Sequence, residues 1–202
     1  MGNLVKYGLI IAVIGYFVYI SQTDTGNNYA EDDIDLNLVL DITVDTLHAM
    51  QEKLDRQKAT SESIPDDDQT FIELAETLSE NYNKAQPKFI ESQIGVSAQA
   101  DASLLAYADT NLSTTLDEGE DLLFKIEIDG QNARIIASSR SGAINEHGFS
   151  GSGLLAGYLI GSMLSRQGRA GVNTSALANK KPVTARAAAR SRAGSGSHSK
   201  GK

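Results

Sequence analysis

The sequence predicts an α+β fold, a small antiparallel sheet with two helices over residues 36–140, preceded by an N-terminal transmembrane helix and followed by a glycine-rich apolar helix and a disordered basic tail. Three observations predict it. Apolar periodicity switches between two and about 3.6 along residues 36–140, the signature of mixed strands and helices. Uncharged apolar runs flank that region at 4–20 and 149–165. Charge is segregated: residues 1–20 hold Lys6 and no acid, residues 21–146 hold all 26 acids against 8 bases, and residues 147–202 hold 9 bases and no acid.

Taken in order, LVKYGLIIAVIGYFVYI (4–20) is apolar except for Lys6. Seventeen helical residues span about 26 Å, slightly short of a hydrocarbon core of about 30 Å. Lys6 can snorkel, and Tyr16 and Tyr19 suit the interface. Bulky Tyr19 and Ile20 precede SQTDTG where a cleaved signal peptide needs small residues. A buried core helix is the other alternative, disfavoured by the all-round apolar surface. The expectation is an anchor at 1–21, followed by an acidic linker at 22–35.

In DLNLVLDITVD, Leu36, Leu38, Leu40, Ile42 and Val44 alternate, which predicts a half-buried strand. Leu47, Met50 and Leu54 then recur at helical spacing behind Asp45, predicting a helix to about Lys58. Phe71, Leu74, Ala75, Leu78 and Tyr82 predict a second helix, opening within Asp66–Asp68 and stopped by Pro87. Residues 89–108 read as one bent strand or two. Leu122, Phe124, Ile126 and Ile128 alternate up to Asp129 and Gly130, and the return from Arg134 to Ser138 predicts a hairpin. Residues 141–148 read as a linker.

Between the strands lies DTNLSTTLDEGE, residues 109–120. It resembles an EF-hand calcium loop over these twelve positions. Asp109, Asn111, Ser113, Thr115 through its carbonyl, Asp117 and Glu120 occupy the ligand slots 1, 3, 5, 7, 9 and 12, and Leu116 the aliphatic eighth. Thr114 stands where glycine belongs. The flanking pattern is strand rather than helix, so the resemblance implies calcium as a ligand and not the helix-loop-helix fold. The alternative is a polar hairpin loop.

FSGSGLLAGYLIGSMLS (149–165) carries Gly153, Gly157 and Gly161 four apart, a stripe that would let two helices approach closely in lipid. That predicts a membrane-associated helix pairing with another membrane helix or a second copy of the chain; the alternative is a short amphipathic or core helix, disfavoured by the cost of glycine in a water-soluble helix. The tail 166–202 is poor in large apolar residues and reads as disordered. Its bases suit anionic lipid, and the absence of aromatics for base stacking disfavours nucleic acid. Positive-inside logic puts the tail in the cytoplasm and the acidic domain across the membrane.

The chain has no cysteine, which excludes disulfides, thiolate metal sites and a thiol nucleophile. His48, His147 and His198 lack metal-ligand spacing, and GFSGSG (148–153) is out of register with a nucleophile elbow. No phosphate loop or dinucleotide fingerprint is present. LLAGYLIGSMLS, followed by an Arg/Ser/Gly-rich end, resembles the carboxyl-terminal part of the YgiB-like bacterial envelope proteins. That resemblance implies an envelope location, here the bacterial inner membrane. The functional expectation is a membrane-anchored, non-enzymatic binding domain acting through protein or divalent-ion binding and helix association. A membrane-tethered hydrolase or transferase is the alternative.

Overall fold

The computed structural model describes residues 34–60, 66–149 and 157–194. The expected anchor, most of the acidic linker and Gly153 lie outside the described residues. The fold is α+β, with helices α1 (Leu36–Ala59) and α2 (Asp67–Asn83), then strands β1 (Gln93–Ala98), β2 (Leu104–Asp109), β3 (Leu122–Asp129), β4 (Arg134–Ser139) and β5 (Ile144–Gly148). Helices α3 (Tyr158–Ala170), α4 (Thr174–Ala178) and α5 (Ala185–Gly194) follow. The strands form one antiparallel meander in the order β1-β2-β3-β4-β5.

The strand expected at 36–44 is the start of α1. LNLVLDITV satisfies both periods, and the helical one prevails because it buries Leu36, Val39, Leu40, Thr43 and Leu47 on one face. Buried threonines are tolerated there because Thr43 Oγ1 donates to the Val39 carbonyl at 2.6 Å and Thr46 Oγ1 to that of Ile42 at 2.7 Å. The cap is Asp35, whose carboxylate accepts from Asn37 N and Leu38 N, and not Asp45. Asp66 caps α2 by accepting from Gln69 N at 2.7 Å, within the acidic run expected to open that helix.

The two helices pack antiparallel on one face of the sheet, as their cross-links show. Thr43 Oγ1 meets the Tyr82 hydroxyl at 2.7 Å, Asn81 Nδ2 donates to Thr46 Oγ1 at 2.9 Å, and Lys53 pairs with Glu73. Ile94, Leu104, Ala106, Phe124, Ile126, Ile128, Ile135 and Ala137 face them from the sheet and complete the core. The rings of Tyr82 and Phe124 meet edge to face at 5.2 Å between centroids. At the exposed edge, Asn83 closes β1 with its side chain, accepting from Ile94 N at 2.9 Å and donating to Ile94 O at 2.8 Å. That amide blunts a strand edge that would otherwise invite pairing.

Three further expectations are corrected. The linker assigned to 141–148 contains β5, paired to β4 with Ile136 opposite Glu146. Its polar residues INEHG give no apolar alternation, so the edge pairing was not visible in sequence. The tail assigned as disordered folds through 194, with α4, α5 and an isolated bridge between Ile144 and Val183. Within 149–165, the described part forms α3, whose Leu159, Ile160 and Met163 are buried in the same core as α1 and α2. Burial of each such side chain contributes about 1.5–3 kcal/mol. Among the described residues no helix is long and apolar enough to cross a membrane.

Gln167 Nε2 donates to the Ile128 carbonyl at 2.9 Å, and Arg134 Nη2 donates to the carbonyls of Leu177, Ala178 and Lys180 at 3.0, 3.1 and 2.9 Å. Residues 157–194 are therefore packed on the acidic domain.

Candidate functional site

The β2–β3 loop is built from its ends inward. Ala108 N donates to Asp121 O at 2.9 Å, closing the base. Asp109 ends β2 buried, and its two carboxylate oxygens accept from Ser113 N and Thr114 N, each at 3.0 Å. Glu120, also buried, reaches back from the other end and accepts from Thr110 N at 3.2 Å and Asp117 N at 3.0 Å. The first and twelfth positions thus hold the loop by its own backbone. Each carboxylate oxygen keeps a further lone pair.

Inside this frame the remaining oxygens converge. Ser113 Oγ lies 2.7 Å from Asp117 Oδ2, 2.9 Å from the Thr115 carbonyl oxygen and 3.1 Å from Thr115 Oγ1. Asn111 Nδ2 donates to Asp117 Oδ2 at 2.9 Å, while Asn111 Oδ1 accepts from Ser113 N at 3.0 Å. Hydrogen bonds from Asn111 and then Ser113 hold the Asp117 carboxyl below the usual carboxylate range against the small opposing effect of desolvation. Thr114, in the sixth position, adopts φ +60, and Leu112 φ +58. The backbone takes the left-handed turn that glycine normally supplies, with a β-branched residue in its place.

The structure thus brings Asn111, Ser113, Thr115 and Asp117 together and sets Asp109 and Glu120 as brackets around them. Among the described residues no group of three acidic or histidine side chains could by itself hold a metal ion. A cation here would need the mixed set of carboxylate, amide, hydroxyl and carbonyl oxygens, the donor chemistry that suits a hard ion such as calcium. The flanks are β2 and β3, so the helix-loop-helix frame is absent.

Tyr107, which no motif in the sequence marks, belongs to this neighbourhood. It precedes Asp109 by two residues and so shares its face of β2. It is fully buried, and its hydroxyl has no hydrogen-bond partner among the described residues. Burial, then the charges of Asp109, Glu120 and Asp117, pushes its pKa upward. The ring lies across Gly95 of β1, where an added Cβ would come within 2.2 Å of it. Period-two spacing from Asp109 was the available sequence signal.

The glycine stripe is divided by the fold. Gly157 caps α3 against Gln51, whose Oε1 would lie 2.4 Å from an added Cβ and accepts from Leu159 N at 3.0 Å. Gly161 faces open space. Gly157 is therefore small for contact within this chain, and the two glycines do not form one free face.

A second feature is an open depression of about 460 Å³ between the start of α1, β5 and the segment leading into α5. Among the described residues lining it Asp35 is the one titratable group, and its carboxylate already caps α1. His48 is exposed and His147 lies in β5. No family model, curated protein or solved structure matches this chain. The resemblances to YgiB-like proteins and to EF-hand loops therefore rest on the residues alone.

Proposed function

We propose that this chain is a non-enzymatic binding module, tethered to a membrane by residues 4–20, whose β2–β3 loop takes a calcium ion. The observation that carries the reading is the backbone at Thr114. A β-branched residue held at φ +60 costs roughly 1–2 kcal/mol, and the turn it makes is what gathers Asn111, Ser113, Thr115 and Asp117. The mixed oxygen donors favour calcium over magnesium, which demands near-ideal octahedral geometry and keeps its waters. Three carboxylates and an imperfect sixth position place the affinity at the weak end of calcium modules, about 10⁻⁴–10⁻³ M. Bound calcium would stiffen the loop between β2 and β3 and add about 2.7 kcal/mol of stability at a hundredfold excess over Kd. The depression beside α1 supports a binding role rather than catalysis, because its lining residues bring no pair of acid and base together.

The test is calorimetric titration of the full chain in detergent with calcium, beside Asp117→Asn. That substitution removes a charge at an exposed position and keeps an acceptor for Asn111 and Ser113. Saturable binding weakened at least tenfold in the variant is the expected result. Absence of saturable heat up to about 10⁻² M, beyond the weakest calcium modules, would leave the segment a self-capped polar loop.

A further inference from the structure

We infer that helix α5 is an electrostatic docking surface for anionic lipid headgroups, and that it holds the domain against the membrane to which the chain is tethered. The inference rests on the tether in the proposed function and is independent of calcium. Its basis is a juxtaposition that only the tertiary structure creates. The chain enters the described fold at Ile34, and Ile34, Asp35, Leu36 and Asn37 form one wall of the depression whose other wall is Pro182, Val183, Thr184 and Ala185. Helix α5 therefore begins beside the point where residues 1–33 join the domain. The thirteen residues between Ile20 and Ile34 reach at most about 45 Å even fully extended, which limits how far a tethered domain can carry α5 from the bilayer.

The helix has the chemistry for that position. Ala188 is buried, while Arg186 and Arg190, each two residues away and hence on the opposite side of a helix turning about 100° per residue, are exposed. Lys181 is exposed just before the helix. The outward face otherwise carries Ala187, Ala189 and Ala193, with no large apolar side chain to insert into the bilayer. Attraction is thus to headgroup charge, within a Debye length of about 8 Å at physiological salt. The acidic block 21–146, at net −18, is repelled by the same surface. Attraction at α5 and repulsion of the acidic block orient the domain with α5 toward the lipid, against the opposing charge of Asp35 across the depression.

The segment is rigidly presented. Val183 and Ile144 exchange backbone hydrogen bonds at 2.8 Å, Arg134 holds the carbonyls of Leu177, Ala178 and Lys180, and Lys180 pairs with Glu127. Two bases removed from an anionic surface weaken attraction roughly thirtyfold, since each contributes about a fivefold factor.

The chain has no cysteine, so Ala189→Cys accepts a single fluorescent donor on α5. The labelled full chain is reconstituted with vesicles of phosphatidylcholine alone or mixed with phosphatidylglycerol, each carrying a headgroup acceptor. Expected is higher energy transfer on the phosphatidylglycerol mixture, abolished at 1 M salt by screening and in Arg186→Gln/Arg190→Gln, with an unchanged unfolding midpoint for that variant. Equal transfer on both lipids, or a gain that survives the double substitution, overturns the inference. So does displacement of α5 from the lipid by a short DNA duplex, which would make nucleic acid the ligand. Salt-sensitive association of copies on neutral vesicles would overturn it by assigning α5 to a second copy's acidic face. Flotation with phosphatidylcholine reads the anchor separately. A chain that floats only with phosphatidylglycerol, through Arg186 and Arg190, supports α5 docking while the tether fails.

Discussion

Replacing Arg134 by methionine should release the C-terminal segment from the sheet. The guanidinium is about nine-tenths buried, and its Nε donates to Asp129 at 2.8 Å, Nη1 pairs with Glu146, and Nη2 serves three carbonyls at the end of α4. Methionine preserves most of the volume and removes every donor. Asp129, whose side chain is 1% exposed, would keep only Asn132 Nδ2 and the backbone N–H groups of Gln131 and Asn132. Removing one partner of a buried pair costs about 3–5 kcal/mol. At about 2–4 °C per kcal/mol for a folded unit of this size, the unfolding midpoint should fall by roughly 6–20 °C. Trypsin should also cleave faster after Lys180, whose carbonyl is one of the three that Arg134 holds; Pro182 protects the bond after Lys181. Asp129→Asn in the same chain should recover part of the loss, because the stranded charge is gone. A midpoint within about 2 °C of the parent and unchanged cleavage would refute the latch, since less than about 1 kcal/mol would then be at stake.

Thr114→Gly should stabilise the domain by about 1 kcal/mol through relief of the left-handed turn, and should tighten calcium binding in the same calorimetric titration. Destabilisation in that variant would show that Thr114 contributes contacts beyond the turn. Stability should fall on acidification through Asp129. Burial raises its pKa, but the hydrogen bonds and charge of Arg134, with Asn132, outweigh burial and hold it below the unfolded value near 3.9. Its contribution is therefore present above about pH 4 and lost as pH falls through the folded pKa, so the acid limb of midpoint against pH should flatten in Asp129→Asn. Gly157→Ala should destabilise by about 1–3 kcal/mol, by displacing Gln51 and orphaning Leu159 N–H. Gly161→Ala, pointing into open space within α3, should instead stabilise by roughly 0.5–1 kcal/mol. Equal effects in thermal unfolding would contradict the division of the stripe.

The loop was the most legible part of the candidate site, because its oxygen donors fall within one short stretch of sequence and its side-chain brackets use hydrogen bonds spanning ten residues or fewer. What could not be read was that Thr114 would accept the left-handed turn, since a glycine rule says only what is cheap. Tyr107 was hidden by its place in an apolar strand. The basic face of α5 was legible as composition and illegible as a surface, because a run of alanines and arginines folds only when Ala188 and Val183 find partners.

Local signals settle what depends on neighbours in sequence: the opening of α2 within the run 66–68, the hairpin across Asp129 and Gly130, the stripe from Phe71 to Tyr82, and the separation of charge. Tertiary contact decided the rest. LNLVLDITV fits both a strand and a helix by pattern, and the partner surface of α2 and the sheet selects the helix. Leu159, Ile160 and Met163 leave water equally well for lipid or for protein, so apolarity alone cannot choose, and the core they complete makes the choice. The basic tail folds because Arg134, more than forty residues away, supplies the donors that its carbonyls need, an energy that no window of sequence contains.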